Sequence, residues 1–73
     1  MTKEEFYSKL KANVEVWVET QRTKAVGMFS YRYKGRTYTM LINHVYNRSA
    51  DGIAQEILRR IWDDYDNIEL IEV

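Results

Sequence analysis

The chain contains no cysteine, no proline and only one histidine among its 73 residues. Without cysteine there is no disulfide and no thiolate metal site. That absence fits a reducing compartment. His44 and a nearby carboxylate such as Asp51 make too few ligands for a metal, which needs several held together. There is no glycine-rich phosphate loop, and Ser8, Ser30 and Ser49 have no base and orienting group beside them. The expectation is a chain without cofactor, metal or catalytic residues. No apolar run is long enough to span a bilayer and none resembles a signal peptide, so a cytoplasmic protein with no membrane partner is expected. The sequon Asn47-Arg48-Ser49 is then incidental. Linkers, repeats and low-complexity stretches are also absent, so residues 1–73 read as one domain. A domain this small buries only about 60% of its unfolded surface. Lacking the usual staples, it needs an efficient core or a second copy of itself.

Formal charge is zero but unevenly placed. Residues 1–50 hold nine basic and four acidic residues, and residues 51–73 hold two basic and seven acidic. Either the two parts pair within the fold or the surface is dipolar.

The clearest local signal is Ala25 to Val45, where two β-favouring runs flank Lys34-Gly35. A two-residue hairpin loop favours positive φ, which Gly35 accommodates. With that loop Tyr33 faces Arg36, Tyr31 faces Tyr38, Phe29 faces Met40 and Gly27 faces Ile42. Side chains alternate along a strand. One face then carries Phe29, Tyr31, Tyr33, Tyr38, Met40 and Ile42, and should be dry. The other carries Met28, Ser30, Arg32, Thr37, Thr39, Leu41 and Asn43. A slip by one residue would destroy this sorting.

Upstream, Thr2-x-x-Glu5 is a capping box, and Phe6 with Leu10 marks a helical face. A helix over about residues 3–12 is predicted, stopped by Asn13. Val14-Glu-Val-Trp-Val-Glu then alternates, which predicts a strand with Val14, Val16 and Val18 inward and Glu15, Trp17 and Glu19 outward. Pairing Thr20 with Ala25 makes a meander, with Val16 beside Phe29 and Val18 beside Gly27. Gly27 then marks a bulge or close packing under a helix. Trp17, Met28 and Leu41 form an apolar row on the outer face.

Downstream, Ser49 is the expected N-cap of an amphipathic helix over about residues 50–64. Ile53, Ile57 and Ile61, with Ala54, Leu58 and Trp62, should lie on the tyrosine-bearing side of the sheet. Asp63 and Asp64 at its C-terminus oppose the helix dipole. Ile68 to Val73 reads as a last strand, added to a sheet edge in the same or a neighbouring subunit. The expected fold class is α+β: a single small domain in the order α-β-β-β-α-(β), with an antiparallel three-stranded meander and both helices on one face.

This layout over residues 2–65 resembles some small phage-encoded inhibitors, certain anti-CRISPR proteins among them, in size and arrangement and in no motif. The resemblance implies a non-enzymatic protein-binding module that blocks a host protein's nucleic-acid-binding site with acidic side chains. Asp63, Asp64, Asp66 and Glu69 are then the candidate contacts. A second candidate surface is Trp17, Met28 and Leu41 flanked by Glu15, Glu19 and Arg32, facing a protein partner or a second copy. The layout also resembles the double-stranded-RNA-binding domain. That implies nucleic-acid contacts at Arg22, Lys24, Lys34 and Arg36. The family's basic cluster at the second helix is replaced here by Ser49-Ala50-Asp51-Gly52, and zero net charge opposes tight phosphate binding.

Overall fold

The computed structural model describes residues 2–72. Helix α1 spans Lys3–Thr20, strand β1 Val26–Tyr33, strand β2 Arg36–Asn43, helix α2 Ala50–Ile61 and strand β3 Ile68–Leu70. A short 3-10 helix at Val45–Asn47 precedes α2, and a second at Trp62–Asn67 follows it. The antiparallel sheet has strand order β2-β1-β3. Both helices cover one face of it, and the fold is a small α+β domain as expected.

The hairpin follows the expected register throughout, from Tyr33 opposite Arg36 to Gly27 opposite Ile42. Lys34 and Gly35 both have positive φ, 51° and 81°. That twist matches the strands they join. On the inner face Phe29 and Ile42 are fully buried, and Tyr31 and Met40 pack against the core. Tyr38, expected on the dry face, stacks on Tyr31 with ring centroids 5.9 Å apart but stays exposed. Ser49 caps α2 through the Gly52 N–H at 3.1 Å. Ile53, Ala54, Ile57 and Ile61 are all buried beneath it.

One segment departs from the alternation in the sequence. Residues 14–19 are helical, so α1 runs unbroken to Thr20 and the third strand comes from the C-terminal segment instead. The same run satisfies a helical stripe: Phe6, Leu10, Val14, Trp17 and Val18 are all buried on one side of α1. Each valine in a helix costs roughly 0.5 kcal/mol in propensity. Full burial of an apolar side chain returns about 1.5–3 kcal/mol, so the stripe wins. Val16, expected inward beside Phe29, is exposed instead. Asn13 does not stop the helix. Its Nδ2 donates to the Ile71 carbonyl at 2.8 Å and ties the chain end to α1.

Trp17 is the largest correction. It is 6% exposed, not outward-facing. Its ring meets Phe29 edge-on, with centroids 5.4 Å apart at 85°. Its Nε1–H donates to the Met28 carbonyl at 3.0 Å. Gly27 makes this fit possible, because a Cβ there would lie 2.9 Å from both Trp17 and Val45 side-chain carbons. Gly27 thus marks close packing under a helix, one of its two expected roles.

Helix α2 ends at Ile61, three residues early, because the backbone tightens into 3-10 turns and Asp64 leaves helical geometry. Asp63 and Asp64 therefore lie beyond its last turn, which carries Arg59 and Arg60 with the favourable sign. Trp62 is half-exposed beneath the Lys3 ammonium, not part of the buried stripe. Strand β3 is only three residues long, and Val73 lies outside the described residues.

Gly27→Ala is expected to cost about 1–3 kcal/mol, since a methyl group must displace the indole or Val45. Urea denaturation monitored by Trp fluorescence measures it. An unchanged midpoint would show that the contact is not tight.

Candidate functional site

The helices leave the second face of the sheet bare. On it stand Val26, Met28, Ser30 and Arg32 from β1, opposite Asn43, Leu41, Thr39 and Thr37 from β2. Glu69 of β3 lies opposite Arg32. The face divides in two. Near the hairpin turn it is polar, with Ser30 and Thr39 sharing a hydroxyl hydrogen bond of 3.0 Å. At the other end Val26, Met28 and Leu41 are 43%, 61% and 56% exposed. Met28 and Leu41 sit directly opposite each other, so their side chains form one contiguous apolar surface.

The residues expected on this face are split by the structure. Met28, Leu41 and Arg32 are there. Glu15 and Glu19 are exposed on α1, in the other layer, and Trp17 is interior. The same helix that buries Trp17 carries its two neighbours away. Val26 completes the patch and was missed by sequence reasoning. Its signal was the register itself, two residues before Met28 and opposite Asn43.

Among the acidic candidates, Asp63 and Asp66 are exposed, and Glu69 projects on the bare sheet face. Asp64 is engaged: it accepts from the Tyr33 hydroxyl, and from Asn67 Nδ2 at 2.6 Å. This supplies a structural reason for a carboxylate just beyond α2. The basic candidates occupy opposite ends of β1. Arg22 and Lys24 lie before it, and Lys34 and Arg36 at the hairpin turn. Eight residues of strand separate them by roughly 25 Å. Arg22 is also occupied by Glu19 at 3.5 Å and by the Arg48 carbonyl. These four cations do not converge.

The two sheet edges differ. The residues of β2 facing away from β1 include Leu41 and Asn43, and their carbonyls are capped. Arg60 donates to Leu41 at 3.0 Å and Arg48 to Asn43 at 3.3 Å. Glu56 on α2 holds both guanidinium groups, at 2.8 Å and 2.9 Å. This network clasps α2 onto β2 and blunts that edge. A second polar clasp joins the helices, where the Tyr7 hydroxyl donates to Asp51. The carboxylate accepting that proton, with partial burial second, holds the phenol above its ordinary pKa of 10.0.

His44 is exposed, in left-handed backbone geometry, with its N–H given to the Ala25 carbonyl. No group of three potential metal ligands occurs among the described residues. No helix of the described residues is long and apolar enough to cross a membrane. No protein family, curated protein or solved structure matches the chain.

Glu56→Ala is expected to cost about 1 kcal/mol or somewhat more, because it frees two partly covered arginines at once. Chemical denaturation against wild type measures this. A neutral result would mean that α2 is held to β2 by its apolar face alone.

Proposed function

We propose that the protein is a small non-enzymatic binding module that engages a protein partner through the bare face of its sheet. The observation that carries this reading is the Val26, Met28 and Leu41 patch. Three apolar side chains stand adjacent and exposed on a domain that buries every other large apolar residue of β1 and of the C-terminal half of β2 at least in part. Contiguous apolar exposure rimmed by polar groups is the mark of a contact surface. Here Asn43, Ser30, Thr39 and Arg32 form that rim. Methionine suits the role, since its flexible thioether adapts to a partner's shape.

The narrower reading is an inhibitor, encoded by a phage or mobile element, that covers a nucleic-acid-binding site on its target. What supports it is charge. Residues 61–73 carry five acidic and no basic side chains, and Asp63, Asp66 and Glu69 are exposed. The alternative of direct nucleic-acid binding is disfavoured by the separation of Arg22 and Lys24 from Lys34 and Arg36.

A Met28→Glu, Leu41→Glu double variant tests the surface. Both side chains are more than half exposed, so the variant should keep its circular dichroism and unfolding midpoint. In a pull-down from the source cells it should retain a partner at least about tenfold less well than wild type. Equal capture by both proteins would refute the assignment. Sedimentation across a dilution series separates a foreign partner from a second copy of the chain.

A further inference from the structure

Side chains cap the β2 edge at the Leu41 and Asn43 carbonyls, whereas none bonds the outer edge of β3 among the described residues. In a hairpin with a two-residue loop, Tyr33 and Arg36 form a hydrogen-bonded pair, and bonding direction then alternates along the strands. The β1 residues whose backbone groups point to the β3 side are therefore Met28, Ser30 and Arg32, and of these only Arg32 pairs with β3, opposite Glu69. It follows that the Leu70 N–H and the Ile68 and Leu70 carbonyls point away from β1. The Ile68 N–H is taken by the Tyr65 carbonyl, but no other group among the described residues bonds these three. Beside them lies an open groove of about 690 Å³ between β3 and α1. Its helix wall is Phe6, Lys9, Ala12, Asn13 and Val16. Val16 is 54% exposed, an apolar side chain with no covering element.

We propose that this edge and groove receive an extended segment of a partner protein, added as a fourth strand, whose residues alternate between apolar and basic. This site is distinct from the Met28 and Leu41 patch and does not depend on it, although Glu69 projects on the same sheet face. Main-chain groups of the segment bond to Ile68 and Leu70, as in other strand additions. Its inward side chains lie against Ala12 and Val16. Lys9 on that wall disfavours a cation there, so basic residues are confined to the outward side, next to Glu69. Glu69 and Glu72 form no ion pair among the described residues and are available to such a segment. The same charges argue against a second copy of this chain as the occupant. Pairing β3 with its own two-fold image would crowd Glu69 and Glu72 of both copies, and like charges across strands destabilise.

The probe is an acetylated, amidated heptapeptide, Val-Lys-Val-Lys-Val-Lys-Val, titrated into 15N-labelled full-length chain. Expected are shift changes at Ala12, Val16 and Ile68 to Glu72, with little change at Met28 and Leu41. Two N-methylated peptides, blocked at alternate residues in the two possible registers, should separate. One loses binding at least about tenfold through its lost main-chain bonds, and the other keeps it. Glu69→Lys should weaken binding several-fold, whereas the Met28→Glu, Leu41→Glu variant should bind normally. A Val-Glu heptapeptide should not bind. No binding at millimolar Val-Lys peptide, equal binding by both N-methylated forms, or shifts centred on Met28 and Leu41 would each overturn the proposal.

Discussion

Trp17 rests on the one residue of β1 that has no side chain. The indole fills the space above Gly27, meets Phe29 edge-on and gives its N–H to the Met28 carbonyl. That carbonyl faces the side of β1 on which β3 would continue, but β3 pairs only with Tyr31, Arg32 and Tyr33. The indole N–H thus satisfies a strand group that would otherwise be left unpaired, at an orphan cost of about 1–3 kcal/mol. This contact also decides the architecture. It requires α1 to continue past Asn13, because only helical spacing brings Trp17 to the same side as Leu10, Val14 and Val18. Once α1 is a single long helix, both helices crowd onto the inner face, and no element of the described residues covers the outer one.

The rest of the polar chemistry fastens this two-layer arrangement at its margins. Glu56 holds Arg48 and Arg60 against the carbonyls of β2. Asp51 receives Tyr7 from α1, and Asp64 receives Tyr33 from β1. Glu56 thereby pairs with Arg48, and Asp51 lies 3.9 Å from Lys11, so part of the charge asymmetry in the sequence is internal pairing. The remainder, Asp63, Asp66, Glu69 and Glu72, stays exposed, and the last two line the groove at the open edge. The fold leaves two features uncovered: an apolar patch on one face and a free outer edge of β3 beside the Glu69 and Glu72 carboxylates.

The hairpin was legible in the sequence because two independent signals agreed, the Lys34-Gly35 turn and the alternation on both flanks. Helix α2 was legible because Ser49 and the isoleucine stripe admit one period only. Residues 14–19 were not, because Val14, Val16 and Val18 satisfy a period of two while Val14, Trp17 and Val18 satisfy a period of 3.6. The choice between them is made at Gly27, ten residues away and in another layer, so no local pattern records it. The error carried directly into the candidate site. Met28, Leu41 and Arg32 were placed correctly by the register, whereas Trp17, Glu15 and Glu19 moved with the helix. The differing treatment of the two edges was invisible, since it depends on Arg48 and Arg60 reaching strand carbonyls from α2 and the loop before it.

The most direct test of this account is hydrogen exchange at the two indole N–H groups, read by proton–nitrogen spectra. Trp17 is enclosed and bonded to Met28, while Trp62 is 49% exposed. The account predicts that the Trp17 indole exchanges only through global unfolding and that the Trp62 indole exchanges at close to the free rate. Rapid exchange at Trp17, matching Trp62, would contradict it.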